Sequence, residues 1–112
     1  MRYGIDNSVW EEIIDVFQYY QVDRLVLFGS RAIGTFRPNS DIDLAIFTEG
    51  ISFRRFLDLK ADLDDLGLLY QIDLIDFNRI TNEELKSHID RVGVEIYNSS
   101  IQGNKKGLQK LN

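Results

Sequence analysis

The chain has no cysteine, one histidine and one proline among its 112 residues. Without thiols there are no disulfides, thiolate metal sites or cysteine nucleophiles, and a lone imidazole, His88, cannot build a histidine-held zinc centre. Any metal must then be bound by oxygen. Long apolar runs are also missing. Nothing approaches the roughly 18 residues of a membrane span, and the opening "MRYGIDNSVWEE" carries no apolar stretch of signal-peptide length. A cytoplasmic protein without membrane contacts is expected. Positive charge is in deficit as well. The formal net charge of −5 opposes the phosphate attraction behind nucleic-acid binding, so DNA or RNA is a poor candidate partner.

What is present is an ordinary globular composition, 44% hydrophobic and 28% charged, with no repeat or low-complexity segment. A chain of this length builds one hydrophobic core and has no room for a second substrate-binding lobe. Residues 1–98 are expected to form that domain. Residues 99–112 read as a polar tail with local positive charge at Lys105, Lys106 and Lys110, and no structure is assigned to it.

Trp10, Ile13, Ile14 and Phe17 recur at helical spacing behind a Ser8–Glu11 capping box, which predicts a helix from Val9 to Tyr20. "RLVLFG", Arg24 to Gly29, is short, branched and aromatic, and reads as a buried strand entering a turn. A short helix can start after that turn at Ala32 and Ile33. "SDIDLAIF", Ser40 to Phe47, reads as a second strand. Phe56, Leu59, Leu63 and Leu66 predict a helix from Phe53 to Leu66, stopped by Gly67. Leu69 to Phe77 forms a third strand. Thr81 with Glu84, flanked by Ile80 and Leu85, then opens a helix from Asn82 to about Arg91. The order is helix, strand, strand, helix, strand, helix. It describes an α/β (α+β) fold, a small mixed β-sheet with helices packed on it. Trp10, Phe17, Tyr19 and Tyr20 are taken as core residues and His88 as a solvent-facing one.

The chemistry concentrates in "FGSRAIGTFRPNSDIDLAIF", Phe28 to Phe47. Side chains two apart on a strand share a face, so Asp41 and Asp43 project together and can share a cation. Another strand carries a mid-strand acid, Asp73, between Ile72 and Leu74. Asp76 is its competitor, but it lies at the strand end, where capping acids are common, so Asp73 is favoured. Converging carboxylates repel unless a cation intervenes, and an all-oxygen set suits Mg²⁺ or Mn²⁺ completed by substrate phosphates. Gly29 allows close backbone approach, and Ser30 adds a hydroxyl, a combination suited to phosphate. Phosphate beside metal implies a nucleoside triphosphate. Arg31 and Arg37 are further candidates for its oxygens.

These residues resemble the nucleotidyltransferase superfamily that includes DNA polymerase beta, and most closely its minimal nucleotidyltransferases. The shared signature is a hydrophobic residue and Gly-Ser (Phe28, Gly29, Ser30), ten residues (Arg31 to Ser40), then Asp41-Ile42-Asp43, with a later acid at Asp73 in "QIDLID". The likeness spans roughly Val9 to Tyr97, including the "EIY" ending. It implies the nucleotidyltransferase fold, with Asp41, Asp43 and Asp73 as catalytic and metal-binding residues and Gly29, Ser30, Arg31 and Ser40 as nucleotide-binding ones. It further implies Mg²⁺ or Mn²⁺ with ATP or another NTP as substrate. The implied partner is a helical HEPN-type protein encoded nearby, to a hydroxyl of which AMP is transferred, the chain acting as the antitoxin of a HEPN/minimal-nucleotidyltransferase pair. A homodimer and a hetero-oligomer are both compatible with this.

Two rivals frame the reading. One is a binding module that neutralises its partner by masking and uses nucleotide weakly or not at all, which the intact acids disfavour. The other is a metal-dependent phosphodiesterase or nuclease, which the Gly-Ser turn at its fixed spacing and the acidic charge disfavour.

Overall fold

The computed structural model describes residues 1–100, so the tail lysines Lys105, Lys106 and Lys110 lie outside the described residues. The elements run α1 (Asn7–Tyr19), β1 (Arg24–Phe28), α2 (Gly29–Ile33), β2 (Ile42–Phe47), α3 (Phe53–Asp64), β3 (Ile72–Asp76), a 3-10 turn (Phe77–Arg79), α4 (Glu83–Val92) and β4 (Val94–Asn98). The expected fold class is the observed one. The strands form one sheet in the order β3-β2-β1-β4. β1 runs antiparallel to β2 and β4, whereas β2 and β3 are parallel, and the crossover between those two is α3.

Alternation along the strands divides the sheet into two faces. Leu25, Leu27, Ile42, Leu44, Ile46 and Leu74 point to one side and join Trp10, Ile13 and Phe17 of α1 and Phe56, Leu59 and Leu63 of α3 in the main core. Each of these large side chains contributes about 1.5–3 kcal/mol by leaving water. Val26, Phe28 and Ala45 point to the other side, where Ile89 of α4 seals a smaller cluster with Leu85 and Val92 at its margin.

Local signals were used differently from expectation in four places. α1 begins ahead of Ser8, with Asp6 at its N-cap and no side-chain cap bond, so the Ser8–Glu11 box is not the start. At α4 the cap is Asn82, whose side chain accepts from Glu84 N and Leu85 N, displacing Thr81 by one residue. Tyr19 is 76% exposed and lies outside the core that takes Trp10, Phe17 and Tyr20. The fourth strand, β4, was not anticipated: "VEIYN" is short, and its pairing with β1 is long-range and interrupted by a register shift between Leu25 and Val26. Among the described residues no helix is long and apolar enough to cross a membrane.

Candidate active site

β1 ends at Phe28, and the chain turns at once into α2 through Gly29. Gly29 has φ +74°, and a Cβ there would overlap the Asp43 carboxylate. Only glycine combines that backbone with that closeness. The Gly-Ser turn is thereby packed directly against the second acid of the DID triplet.

Register brings the acids together. In the antiparallel pair Phe28 faces Asp43, and in the parallel pair Asp43 faces Asp73. Asp43 and Asp73 therefore stand side by side on the α4 face of the sheet, Asp43 half-buried and Asp73 exposed. Asp41 lies at the mouth of β2, just outside the strand, and is exposed. Burial, and then the negative charges of Asp73 and Asp41, push the Asp43 carboxyl above its ordinary pKa, while His88 and Arg31 pull it back. Repulsion is thus felt at the centre of the trio. Among the described residues, however, no group of three or more His, Cys, Asp or Glu side chains is drawn tightly enough to hold an ion by itself. The oxygen donors that this face offers to a hard cation are the carboxylates of Asp41, Asp43 and Asp73.

Asp76 is spent elsewhere. It points to the opposite face from Asp73, is buried, accepts from Asn78 N at 3.1 Å, and pairs with Arg79 Nε at 3.2 Å.

Arg31 does not fit the phosphate role expected of it. It is 1% exposed, and its guanidinium donates to Tyr3 O at 2.9 Å, Ser40 O at 2.8 Å and Pro38 O at 3.3 Å. Its fork is consumed by the backbone ahead of Asp41, between the rings of Phe36 and Tyr70. Arg31 is a clamp on the loop that delivers Asp41. Ser40 belongs to the same loop. Its hydroxyl accepts from Arg37 N at 2.8 Å, closing the turn, and Arg37 itself is exposed.

His88 also departs from expectation. It is half-buried, with its ring edge-on to Phe28 at 6.1 Å. The signal was present in the α4 stripe: Leu85, Ile89 and Val92 face the second cluster, and residue 88 lies along its margin.

A mixed sheet with a Gly-Ser turn closed against paired strand acids defines a nucleotidyl-transferring class of protein. The family described as "Polymerase beta, Nucleotidyltransferase" matches residues 11–102, and the chain belongs to that family. Members of that family generally use a nucleoside triphosphate with a divalent cation. Two Methanocaldococcus jannaschii proteins, "Putative protein adenylyltransferase MJ0126" and its counterpart MJ1217, are each 38% identical over 72 residues, 63% of this chain and 72% of theirs. A crystal structure of a toxin-antitoxin with AMP-PNP superposes with TM-score 0.66 at 21% identity, covering 91% of this chain and 94% of that one. A Shewanella oneidensis structure, a tri-AMPylated HEPN toxin in complex with MNT antitoxin, matches with TM-score 0.64 at 16% identity over 96% of this chain and 84% of that chain. At those identities the likeness is one of fold.

Proposed function

We propose that this chain transfers AMP from ATP to a hydroxyl of a bound helical HEPN-type protein and serves as the antitoxin of such a pair. The observation that carries the reading is the Asp43–Asp73 register pair on the open face, with Asp41 at the strand mouth and Gly29 closed onto Asp43. The names of the Methanocaldococcus relatives and the complexes formed by the fold neighbours support the choice of AMP and of the partner.

In this reading the acceptor oxygen attacks the α-phosphorus, a new P–O bond forms, the bond to the β-phosphate breaks, and pyrophosphate leaves. Asp41 and Asp43 would hold Mg²⁺, or Mn²⁺ in its place, and Asp73, on the acceptor side, would also ligate metal and help to take up the hydroxyl proton. When bound, such an ion would supply positive charge to the α-phosphate and the leaving group. Gly29 and Ser30 lie against the phosphates, while Arg31 and Ser40 fix the loop leading to Asp41. In this reading the bound partner orients the acceptor hydroxyl. Orientation can be worth about 7–11 kcal/mol in favourable cases.

The test is to incubate the protein with Mg²⁺, ATP and a co-encoded helical protein and to read that protein's intact mass. One or more added AMP groups are expected. A partner silenced in complex but unmodified would replace transfer with masking, and equal transfer to free tyrosine or serine would remove the partner requirement.

A further inference from the structure

We propose that His88 is a nucleotide-binding residue that donates a hydrogen bond to the leaving-group phosphates. The assignment rests on the transferase reading above and adds a residue to it. Strand register sets an order across the open face: Asp73, then Asp43, then Phe28. His88 packs edge-on against Phe28, with ring centroids 6.1 Å apart and planes at 82°. It therefore stands on the side of Asp43 away from Asp73, beside the residue that leads into Gly29 and Ser30. With Asp73 on the acceptor side, the opposite side is where the departing pyrophosphate portion of the substrate lies.

The packing of α4 explains why the ring is held there. Ile89 is buried against Val26, Phe28 and Ala45, with Leu85 and Val92 alongside, which fixes the helix rotation and sets residue 88 at the rim of the covered patch. The buried cation of the motif, Arg31, has its fork committed to three backbone carbonyls. A neutral imidazole still carries one N–H donor, so the contact does not depend on protonation.

The test uses the full chain with Mg²⁺ and compares ATP with AMP, since a contact to the leaving-group phosphates is absent in AMP. His88→Phe keeps an aromatic edge on Phe28 but has no donor, and His88→Gln restores a donor. ATP binding by calorimetry should weaken about tenfold in His88→Phe, the scale of one hydrogen bond to a charged group. AMP binding and the melting temperature should be unchanged, and Gln should recover most of the loss. ATP affinity equal to wild type in the Phe variant, equal weakening of ATP and AMP, or no rescue by Gln would each overturn the assignment. If the wild-type protein itself fails to bind ATP with Mg²⁺, the transferase reading fails first and takes the His88 role with it.

Discussion

On one face of the sheet, Leu25, Leu27, Ile42, Leu44 and Ile46 are fully or almost fully removed from water beneath α1 and α3. On the other, α4 covers Val26, Phe28 and Ala45, while Asp43 remains half-buried and Asp73 exposed. β3 contributes an acid to each side, and the two have opposite fates. Asp76 enters the covered side and has every obligation met by Asn78 and Arg79. Asp73 stays on the open side beside another carboxylate. A buried acid that is paired has been fitted to the fold. Acids left adjacent to one another oppose the fold and mark a candidate site.

The largest effect expected from that difference is at Asp43. Asp43→Asn should lower AMP transfer by about a thousandfold or more, since on the proposed assignment it removes the central cation ligand. Secondary structure should stay intact and the melting temperature should not fall, because a repelled carboxylate has gone. Single-turnover transfer alongside a thermal melt reads both quantities. Surviving transfer would move the chemistry off β2.

A smaller but more discriminating effect separates the two acids of β3. Asp73→Asn should cost transfer roughly a hundredfold with little change in stability. Asp76→Asn should leave transfer nearly intact and lower stability by about 1–2 kcal/mol, through the weakened cap and the lost pairing with Arg79. The reverse pattern would exchange their assignments.

Arg31 tests the loop. Arg31→Ala leaves the carbonyls of Tyr3, Pro38 and Ser40 without their donor and should destabilise the protein by about 2 kcal/mol. ATP binding should weaken only as far as the loop before Asp41 loosens. Weaker ATP binding with an unchanged melt would return Arg31 to the phosphate role.

Much of this layout was legible in the sequence because it rests on local rules. The Phe28-Gly29-Ser30 turn, the DID alternation and the apolar stripes of α1, α3 and α4 each follow from spacing within a few residues. The mid-strand position of Asp73 favours it over Asp76, and the register places Asp73 beside Asp43. What escaped depended on distant segments. Whether Arg31 turns outward to a ligand or inward to Tyr3 O is decided by the packing of the N-terminal turn, which spacing does not encode. His88 has the sequence context of an ordinary helix residue, and only the fold sets it against Phe28. β4 exists because β1 offers an edge, and five residues alone carry too weak a pattern to announce that.

The smallest expected effect measures burial and repulsion acting together on the open face. Burial and the charges of Asp73 and Asp41 hold the Asp43 carboxyl above its ordinary pKa in the folded protein. In the unfolded chain it titrates near its reference value of about 3.9. Between those two pKa values the folded state keeps a proton that the unfolded state has released, so stability falls as pH rises through that window. Above the folded pKa this contribution becomes constant, and below the unfolded one it vanishes. Asp43→Asn carries no such proton, so its advantage over wild type in metal-free buffer should be absent near the unfolded pKa, grow as pH rises, and then level off. Partial solvent exposure keeps the effect modest, and added salt should shrink the share that comes from Asp41 and Asp73. Paired melts of the two proteins across that range provide the measurement. A stability difference that does not vary with pH would mean the three acids do not repel in the folded chain, and the contrast between the two faces would lose its electrostatic half.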